Sequence, residues 1–165
     1  IRDSVNTVVP AADLKATAAE WADRIAGGPT FAFGLTKWLV NQSLDVDRQT
    51  FEAFWQLDRD GLYEAINATP TTRLRVVRDP DVVGYAVTGR AGAQGYLQRL
   101  AVHPGRQGLG LGINLVADAL HWLRRRDVTT CWVNTQEANT AALSLYTRLG
   151  FVPAAHQLTV LRRDL

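Results

Sequence analysis

A strand, a glycine-rich turn and a helix are predicted in succession by the stretch Leu100-Ala101-Val102-His103-Pro104-Gly105-Arg106-Gln107-Gly108-Leu109-Gly110-Leu111-Gly112. The first amides of such a helix have no intrahelical acceptors, and the helix dipole places about half a positive charge beside them. Glycines let a phosphate group approach the backbone closely. The stretch therefore predicts a phosphate-binding turn, although short glycine motifs also mark ordinary tight turns.

The glycine spacing argues against a dinucleotide-binding Rossmann fold. That fold requires G-x-G-x-x-G and an acidic residue about 20 positions further on, at the end of the next strand. Here the spacing is G-x-G-x-G, and the next predicted strand ends in Val133-Asn134-Thr135.

The residues around the turn predict an α/β domain with a helical beginning. Apolar residues at three- and four-residue spacing predict helices over residues 11–25, 31–40, 47–57 and 61–67. From residue 72 the period changes to two, which predicts a hairpin that turns at Asp79-Pro80-Asp81. Further strands are predicted over residues 96–103, 129–133 and 157–162, with helices from residue 112 to Arg126 and over 139–149.

Composition excludes several classes of protein. The 165 residues are 47% hydrophobic, which excludes a disordered chain. The net charge of +2 is too small for a dedicated nucleic-acid binder. Cys131 is the single cysteine, so no internal disulfide or zinc cluster is expected. No apolar run reaches the length of a membrane span, and a cytoplasmic location is expected. The lack of methionine predicts a fragment or a processed form of a longer protein.

Two separated motifs resemble one known family. The segment from Leu100 to Gly112 matches the Q/R-x-x-G-x-G/A signature of the GCN5-related N-acetyltransferases (GNAT). About thirty residues later, the family's N…A…Y…GF block is matched by Asn139, Ala142, Tyr146, Gly150 and Phe151. The resemblance covers about residues 46–165. It implies a mixed, mostly antiparallel sheet flanked by helices, here with a helical N-terminal extension.

The resemblance also implies an N-acetyltransferase that moves an acetyl group from acetyl-CoA to a primary amine of a small molecule or a protein. Backbone amides would cradle the pyrophosphate of the co-substrate at Gln107, Gly108, Leu109, Gly110, Leu111 and Gly112. The strand residues Leu100, Ala101 and Val102 would pair with the pantetheine arm, and Asn139 would hydrogen-bond to it. Tyr146 would protonate the leaving thiolate. No metal, nucleic acid or membrane is implied, and a homo-oligomer is possible.

Other side chains near the motifs have competing interpretations. Glu137 and His103 are candidates for the general base, but a solvated or capping role is favoured for each. Tyr146 could instead pack beneath Phe151. The run Arg124-Arg125-Arg126 is expected to be a solvated helix end, where cations favour the dipole. Core or acceptor-lining roles are open for Phe51, Phe54, Trp55 and Leu57.

Residues 1–45 resemble a different family, the C-terminal helical part of enoyl-CoA hydratases (crotonases). The resemblance rests on residues 5–14, 24–30 and 35–37, and none of these stretches carries that family's catalytic glutamates. Alternatively, Val8 to Leu14 form the first strand and helix of the acetyltransferase itself. We expect residues 5–9 to return to the sheet edge, because an open edge is an aggregation liability. The competing prediction is a separate helical appendage.

Two other functions remain open from the sequence. One is a non-catalytic acyl-CoA-binding module that keeps the glycine turn. The other is a structural piece of a larger crotonase fusion, with the first helices serving oligomerisation. The presence of Asn139 and Tyr146 favours the enzyme.

Overall fold

The computed structural model describes residues 7–154, which form a four-stranded sheet with helices on both faces. The helices are α1 Leu14–Ala26, α2 Thr30–Thr50, α3 Arg59–Asn67, α4 Leu111–Arg124 and α5 Thr140–Arg148. The strands are β1 Thr71–Arg78, β2 Val82–Ala91, β3 Gln94–Val102 and β4 Thr130–Val133. Within this range, no helix is both long enough and apolar enough to span a bilayer.

The sheet is mixed and mostly antiparallel, as predicted. Its order is β1-β2-β3-β4; β2 pairs antiparallel with β1 and with β3, whereas β3 and β4 are parallel. The β1–β2 hairpin turns at the predicted Asp79-Pro80-Asp81. The last predicted strand, residues 157–162, lies outside the described residues.

Two hydrophobic clusters lie on opposite faces of the sheet. On one face, Leu44 and Val46 of α2 and Leu62 of α3 pack against Tyr85 and Val87 of β2. The cluster on the other face joins α4 and α5 to the sheet, and its buried members are Ala86, Leu97, Val102, Leu115, Val116, Ala119 and Tyr146. Because adjacent strand residues point to opposite faces, β2 contributes to both clusters and is buried along most of its length.

The two helices predicted over residues 31–40 and 47–57 are one continuous helix, α2. No glycine or proline interrupts residues 35–50, so nothing local ends the helix at Val40. The helix ends at Thr50 because side chains bind the chain that follows. Gln56 donates from Nε2 to the carbonyls of Arg48 and Phe51, and residues 53–55 form only a short 3₁₀ turn.

The predicted return of residues 5–9 to the sheet edge is wrong for the part that the structure describes. Residues 7–10 form no strand, Val8 is 87% exposed, and β1 is the edge of the described sheet. α1 buries none of its residues, and burial in α2 begins only at Ser43. These features favour the helical appendage. Val5 and Asn6 lie outside the described residues.

Candidate active site

A gap opens between β3 and β4 at their carboxyl ends. The parallel pairing runs from Gln94 opposite Thr130 to Leu97 opposite Val133 and stops there. β3 continues to Val102, whereas β4 ends at Val133. Within the described residues, the last part of β3 therefore has no strand neighbour on the β4 side.

A bulge in β3 coincides with the start of this gap. Opposite β2, Val87 pairs with Arg99 and the next residue, Thr88, pairs with Leu97, so Gln98 is the extra residue. A bulge bends a strand and locally increases its twist. This bend accounts for the divergence of β3 from β4 at the point where their pairing ends.

The register decides which backbone groups face the gap. The amide of His103 donates to the carbonyl of Val83, and hydrogen-bonding residues alternate along an antiparallel pair. The backbone groups of Ala101 therefore point towards β2, and those of Leu100 and Val102 point into the gap. Of the three predicted pantetheine-binding residues, Leu100 and Val102 direct backbone groups away from β2, and the carbonyl of Val102 already accepts hydrogen bonds from the side chains of Thr50 and Gln107. Ala101 is 1% exposed in the core beneath α2.

The glycine turn lies at the same end of the sheet and leads into α4. Gly108 and Gly110 have φ angles of +76° and +81°, and no atom lies within 4 Å of a Cβ built on either residue. Gly110 is the N-cap of α4, and its carbonyl accepts the first intrahelical bond, from the amide of Asn114 at 3.0 Å. The preceding helical amides are therefore free of intrahelical acceptors beside an open cradle. These features fit a bound pyrophosphate group.

Two further residues of the turn fix its position. Gln107 donates from Nε2 to the carbonyl of Val102 at 3.0 Å, which attaches the turn to the end of β3. A Cβ on Gly112 would lie 2.8 Å from a methyl carbon of Leu145. Gly112 thus permits close packing between α4 and α5. Leu109, also in the predicted set, is 65% exposed.

Tyr146 lies in α5, beneath the gap. It is 8% exposed and belongs to the same cluster as Leu97 and Val102, the β3 residues at the two ends of the divergent segment. Its ring packs against Phe151 with centroids 5.5 Å apart. Burial, together with the nearby Cys131, raises the pKa of Tyr146 to about 12, so the phenol keeps its proton near pH 7.

The other polar candidates near the turn have structural contacts. Asn139 is the N-cap of α5, and its Oδ1 accepts from the amide of Ala142 at 3.1 Å. His103 accepts the amide proton of Gly105 at Nδ1, which is the capping role expected for it. It also lines a groove of about 500 Å³ with residues of α2 and the β1–β2 turn. Glu137 is exposed in the loop between β4 and α5.

A buried polar cluster on the other face of the sheet was not predicted from the sequence. Asp47 of α2 is 0% exposed and accepts hydrogen bonds from Arg99, Tyr85 and the amide of Leu57. Arg99 also donates to the carbonyl of Trp55 at 2.6 Å. The available signal was Arg99 beside the apolar run Leu100-Ala101-Val102 of a predicted strand, since a charge removed from water needs a partner.

This cluster holds the α2–α3 loop, residues 51–58, against β3. The guanidinium of Arg99 lies 3.7 Å from the ring centroid of Phe51, and the Phe54 and Trp55 rings form an edge-to-face pair at 4.8 Å. Phe54 is 65% exposed. It is therefore a surface residue and not part of the core.

Comparison with known proteins is consistent with this geometry. The sequence profile of the Acetyltransferase (GNAT) family matches residues 38–151. A mycothiol acetyltransferase of Nocardia farcinica is 44% identical over 55 residues, which are 33% of this chain and 18% of that protein. The [ribosomal protein bS18]-alanine N-acetyltransferase of Salmonella typhimurium is 33% identical over 78 residues, which are 47% of this chain and 53% of that protein. The chain thus matches about half the length of the second relative and less than a fifth of the first.

Solved structures share the fold at low sequence identity. The ribosomal-protein-S18-alanine N-acetyltransferase from Escherichia coli matches with a TM-score of 0.63 and 21% identity, over 70% of this chain and 73% of that chain. The PaiA N-acetyltransferase from Thermoplasma acidophilum, solved with coenzyme A, matches with a TM-score of 0.62 and 13% identity, over 72% of this chain and 86% of that chain.

The profile match starts at residue 38, so the crotonase resemblance of the preceding residues stays a prediction. With its two motifs, its divergent strands and the profile match, this chain belongs to the Acetyltransferase (GNAT) family.

Proposed function

We propose that this chain is an acetyl-CoA-dependent N-acetyltransferase whose acceptor is a primary amine. The observation that carries the proposal is the coincidence of two features at one end of the sheet. One is the gap between β3 and β4, with the backbone of Leu100 and Val102 facing into it. The other is the open glycine turn of residues 107–112.

In this proposal the chain binds its co-substrate mainly through backbone groups. The backbone of Leu100 and the amide of Val102 hydrogen-bond to the pantetheine arm as a neighbouring strand would, and the amides of residues 107–112 hold the pyrophosphate. Acetyl-CoA supplies an acetyl thioester, whose carbonyl carbon bonds to the amine nitrogen while its C–S bond breaks. Backbone amides fixed by the sheet can stabilise negative charge on the carbonyl oxygen without reorganising.

Tyr146 is proposed to deliver a proton to the leaving sulfur. Its high pKa keeps the phenol protonated at neutral pH, and its place in the same buried cluster as Leu97 and Val102 supports a role in the gap. A CoA-type thiolate, with a thiol pKa of about 8.5, is stabilised by a hydrogen bond from a phenol. Asn139 is proposed to contact the pantetheine arm from the start of α5, in addition to capping that helix.

The acceptor is proposed to approach across the α2–α3 loop. The hydrogen bonds from Arg99 to Asp47 and to the carbonyl of Trp55 fix this loop against β3 next to the bulge. An alkyl amine with a pKa of about 10.4 must lose a proton at a cost of about 4.6 kcal/mol at pH 7. The amine of an α-amino terminus, with a pKa near 8, loses its proton at a smaller cost.

A coupled assay of thiol release from acetyl-CoA tests the proposal. The acceptor panel contains peptides that begin with alanine, since one relative is named for alanine acetylation, and small primary amines. We expect amine-dependent thiol release, with a mass increase of the acceptor by one acetyl group. Binding of CoA without transfer to any acceptor of the panel would contradict the enzyme and favour a binding module.

A further inference from the structure

A groove remote from the glycine turn is unusually rich in arginine. It has a volume of about 730 Å³ and lies between β1 and the last turns of α4. We call it the arginine groove, and its lining residues are Arg73, Arg75, Asp118, His121, Trp122, Arg125 and Arg126. From Gly110 to Trp122, α4 rises by about 18 Å, so the groove lies well away from the proposed pyrophosphate cradle.

Arginines from two separate elements meet in this groove. Arg73 and Arg75 are alternate residues of β1, and both face α4, where they bind Asp118. Arg73 also donates from Nη2 to the backbone carbonyl of Asp118 at 3.1 Å. Arg125 and Arg126 come from the end of α4.

Two guanidinium groups lie against the same indole. The guanidinium carbon of Arg73 is 5.1 Å from the ring centroid of Trp122, and that of Arg126 is 4.5 Å from it. Arg126 also donates from Nη1 to the carbonyl of Trp122 at 3.3 Å. These contacts hold the guanidinium of Arg126 in place beside that of Arg73, which also binds Asp118.

The charges of the groove do not balance. Among residues 7–154, four guanidiniums and one carboxylate, that of Asp118, line the groove, with His121 beside them. Burial, Arg75 and Arg126 all act to lower the pKa of Arg73, and Asp118 offsets only part of their effect. Guanidinium groups nevertheless stay charged in proteins. A ligand of opposite charge would relieve this repulsion.

Two buried polar groups beside the groove have no hydrogen-bond partner among residues 7–154. They are Nε of Arg73 and Oγ1 of Thr88, whose residue is 1% exposed. Arg73 and Thr88 are directly opposed in the β1–β2 pair and therefore share the sheet face that α4 covers. Both groups can donate a hydrogen bond, and buried donors normally have an acceptor.

Stabilisation of the α4 dipole explains only part of this cluster. Cations near a helix C-terminus are favourable, and that accounts for Arg125 and Arg126. It does not account for Arg73 and Arg75, which belong to a strand and both bind Asp118.

We propose that the arginine groove binds a phosphate group, either as free phosphate or as a small phosphate monoester. A phosphate carries about two negative charges and several acceptor oxygens, which suit paired guanidiniums better than a single carboxylate does. Arg125 and Arg126 supply its outer contacts, and Arg73 and Arg75 line its inner side from β1.

Titration of the chain with inorganic phosphate, followed by NMR of the arginine Nε–H signals, tests the proposal. Excess CoA is present so that the glycine turn is occupied. We expect a saturable shift of the Arg73 Nε–H signal. The Arg125→Gln/Arg126→Gln variant should weaken binding by about ten- to a hundredfold. Arg124→Gln is the matched control, since Arg124 is an exposed neighbour outside the groove, and it should leave the affinity unchanged.

A second variant and a second ligand sharpen the result. Arg73→Lys keeps the charge but removes the planar guanidinium, so it should weaken phosphate binding while the chain still unfolds cooperatively. Phosphoserine replaces phosphate in a parallel titration, and tighter binding identifies a monoester as the ligand. Three results would overturn the proposal. They are an Arg73 Nε–H signal that does not shift with phosphate, equal phosphate affinities in all variants, and binding of RNA without any response to phosphate.

Discussion

The guanidinium of Arg99 binds both carboxylate oxygens of Asp47, with Nε 2.7 Å from Oδ2 and Nη2 2.8 Å from Oδ1. Asp47 belongs to α2 and Arg99 to β3, and the carboxylate is fully buried. The hydroxyl of Tyr85, 2.5 Å from Oδ2, and the amide of Leu57, 2.7 Å from Oδ1, also donate to Asp47. This pair therefore ties α2 and the α2–α3 loop to the strand that borders the gap.

Breaking this pair should destabilise the domain strongly. Asp47→Asn leaves the half-buried Arg99 without its counter-charge, so the free energy of unfolding should fall by about 3 kcal/mol, measured by urea denaturation. The control is Asp45→Asn, in the same helix, where an exposed carboxylate binds only the exposed Arg48 among the described contacts. That change should cost less than about 1 kcal/mol. Equal effects of the two variants would show that the buried pair adds little stability.

Replacement of Gly110 should abolish CoA binding. In Gly110→Val, a β-branched side chain occupies a φ of +81° and projects into the open cradle, and isothermal titration should detect no CoA binding. Gly92 is the matched control because it has a φ of +58° and equally open surroundings, but lies in the β2–β3 turn. Gly92→Val should suffer similar backbone strain, about 1–2 kcal/mol, and keep its affinity for CoA. Normal affinity in Gly110→Val would refute the assignment of the pyrophosphate site.

Loss of the Tyr146 hydroxyl should slow turnover. Tyr146→Phe keeps the ring that packs against Phe151, so CoA affinity should be unchanged while kcat falls by about 10²–10⁴-fold. Tyr63→Phe provides the control, since Tyr63 of α3 is 68% exposed. If Tyr146→Phe turned over the identified acceptor at the normal rate, Tyr146 would have only a packing role.

Stability should fall at alkaline pH. Burial raises the pKa of the Cys131 thiol from 9.0 to about 11 and that of Tyr146 from 10.0 to about 12. Both groups are neutral when protonated, so the unfolded chain loses these protons at lower pH than the folded chain. Between pH 9 and 11 the unfolded state binds fewer protons, and the free energy of unfolding decreases as pH rises. In Cys131→Ala the free energy of unfolding should fall less steeply between pH 9 and 10, as measured by urea denaturation at each pH. An unchanged slope would contradict the assignment to Cys131.

Removal of residues 1–29 should leave the domain intact. α1 buries no residue, so its deletion removes little apolar contact, and the free energy of unfolding should change by less than about 1 kcal/mol. The test compares urea denaturation of the full chain with that of a chain beginning at Thr30. A loss of several kcal/mol, or aggregation, would instead support an integral role for the first residues at the edge of β1.

The sequence predicted the glycine turn and its flanking strand and helix because their signals are local. Positive φ angles at Gly108 and Gly110 and the apolar stripe of α4 depend on backbone sterics and helical periodicity. The hairpin around Asp79-Pro80-Asp81 was likewise predictable from turn residues and alternation. Asn139 at the start of α5 followed from the family resemblance, and its capping bond agrees with the predicted position of the helix start.

Tertiary structure alone decided where α2 ends, how β3 diverges from β4, and which charges pair. The end of α2 depends on the side chains of Gln56 and Asp47. Oδ1 of Asp47 accepts a hydrogen bond from the amide of Leu57, ten residues away. The partner of Asp47 is Arg99, 52 residues away, and Arg73 meets Asp118 across 45 residues. Sequence spacing carries no signal for such contacts, because they form only when separate elements pack on the same face of a sheet and exclude water from their charges.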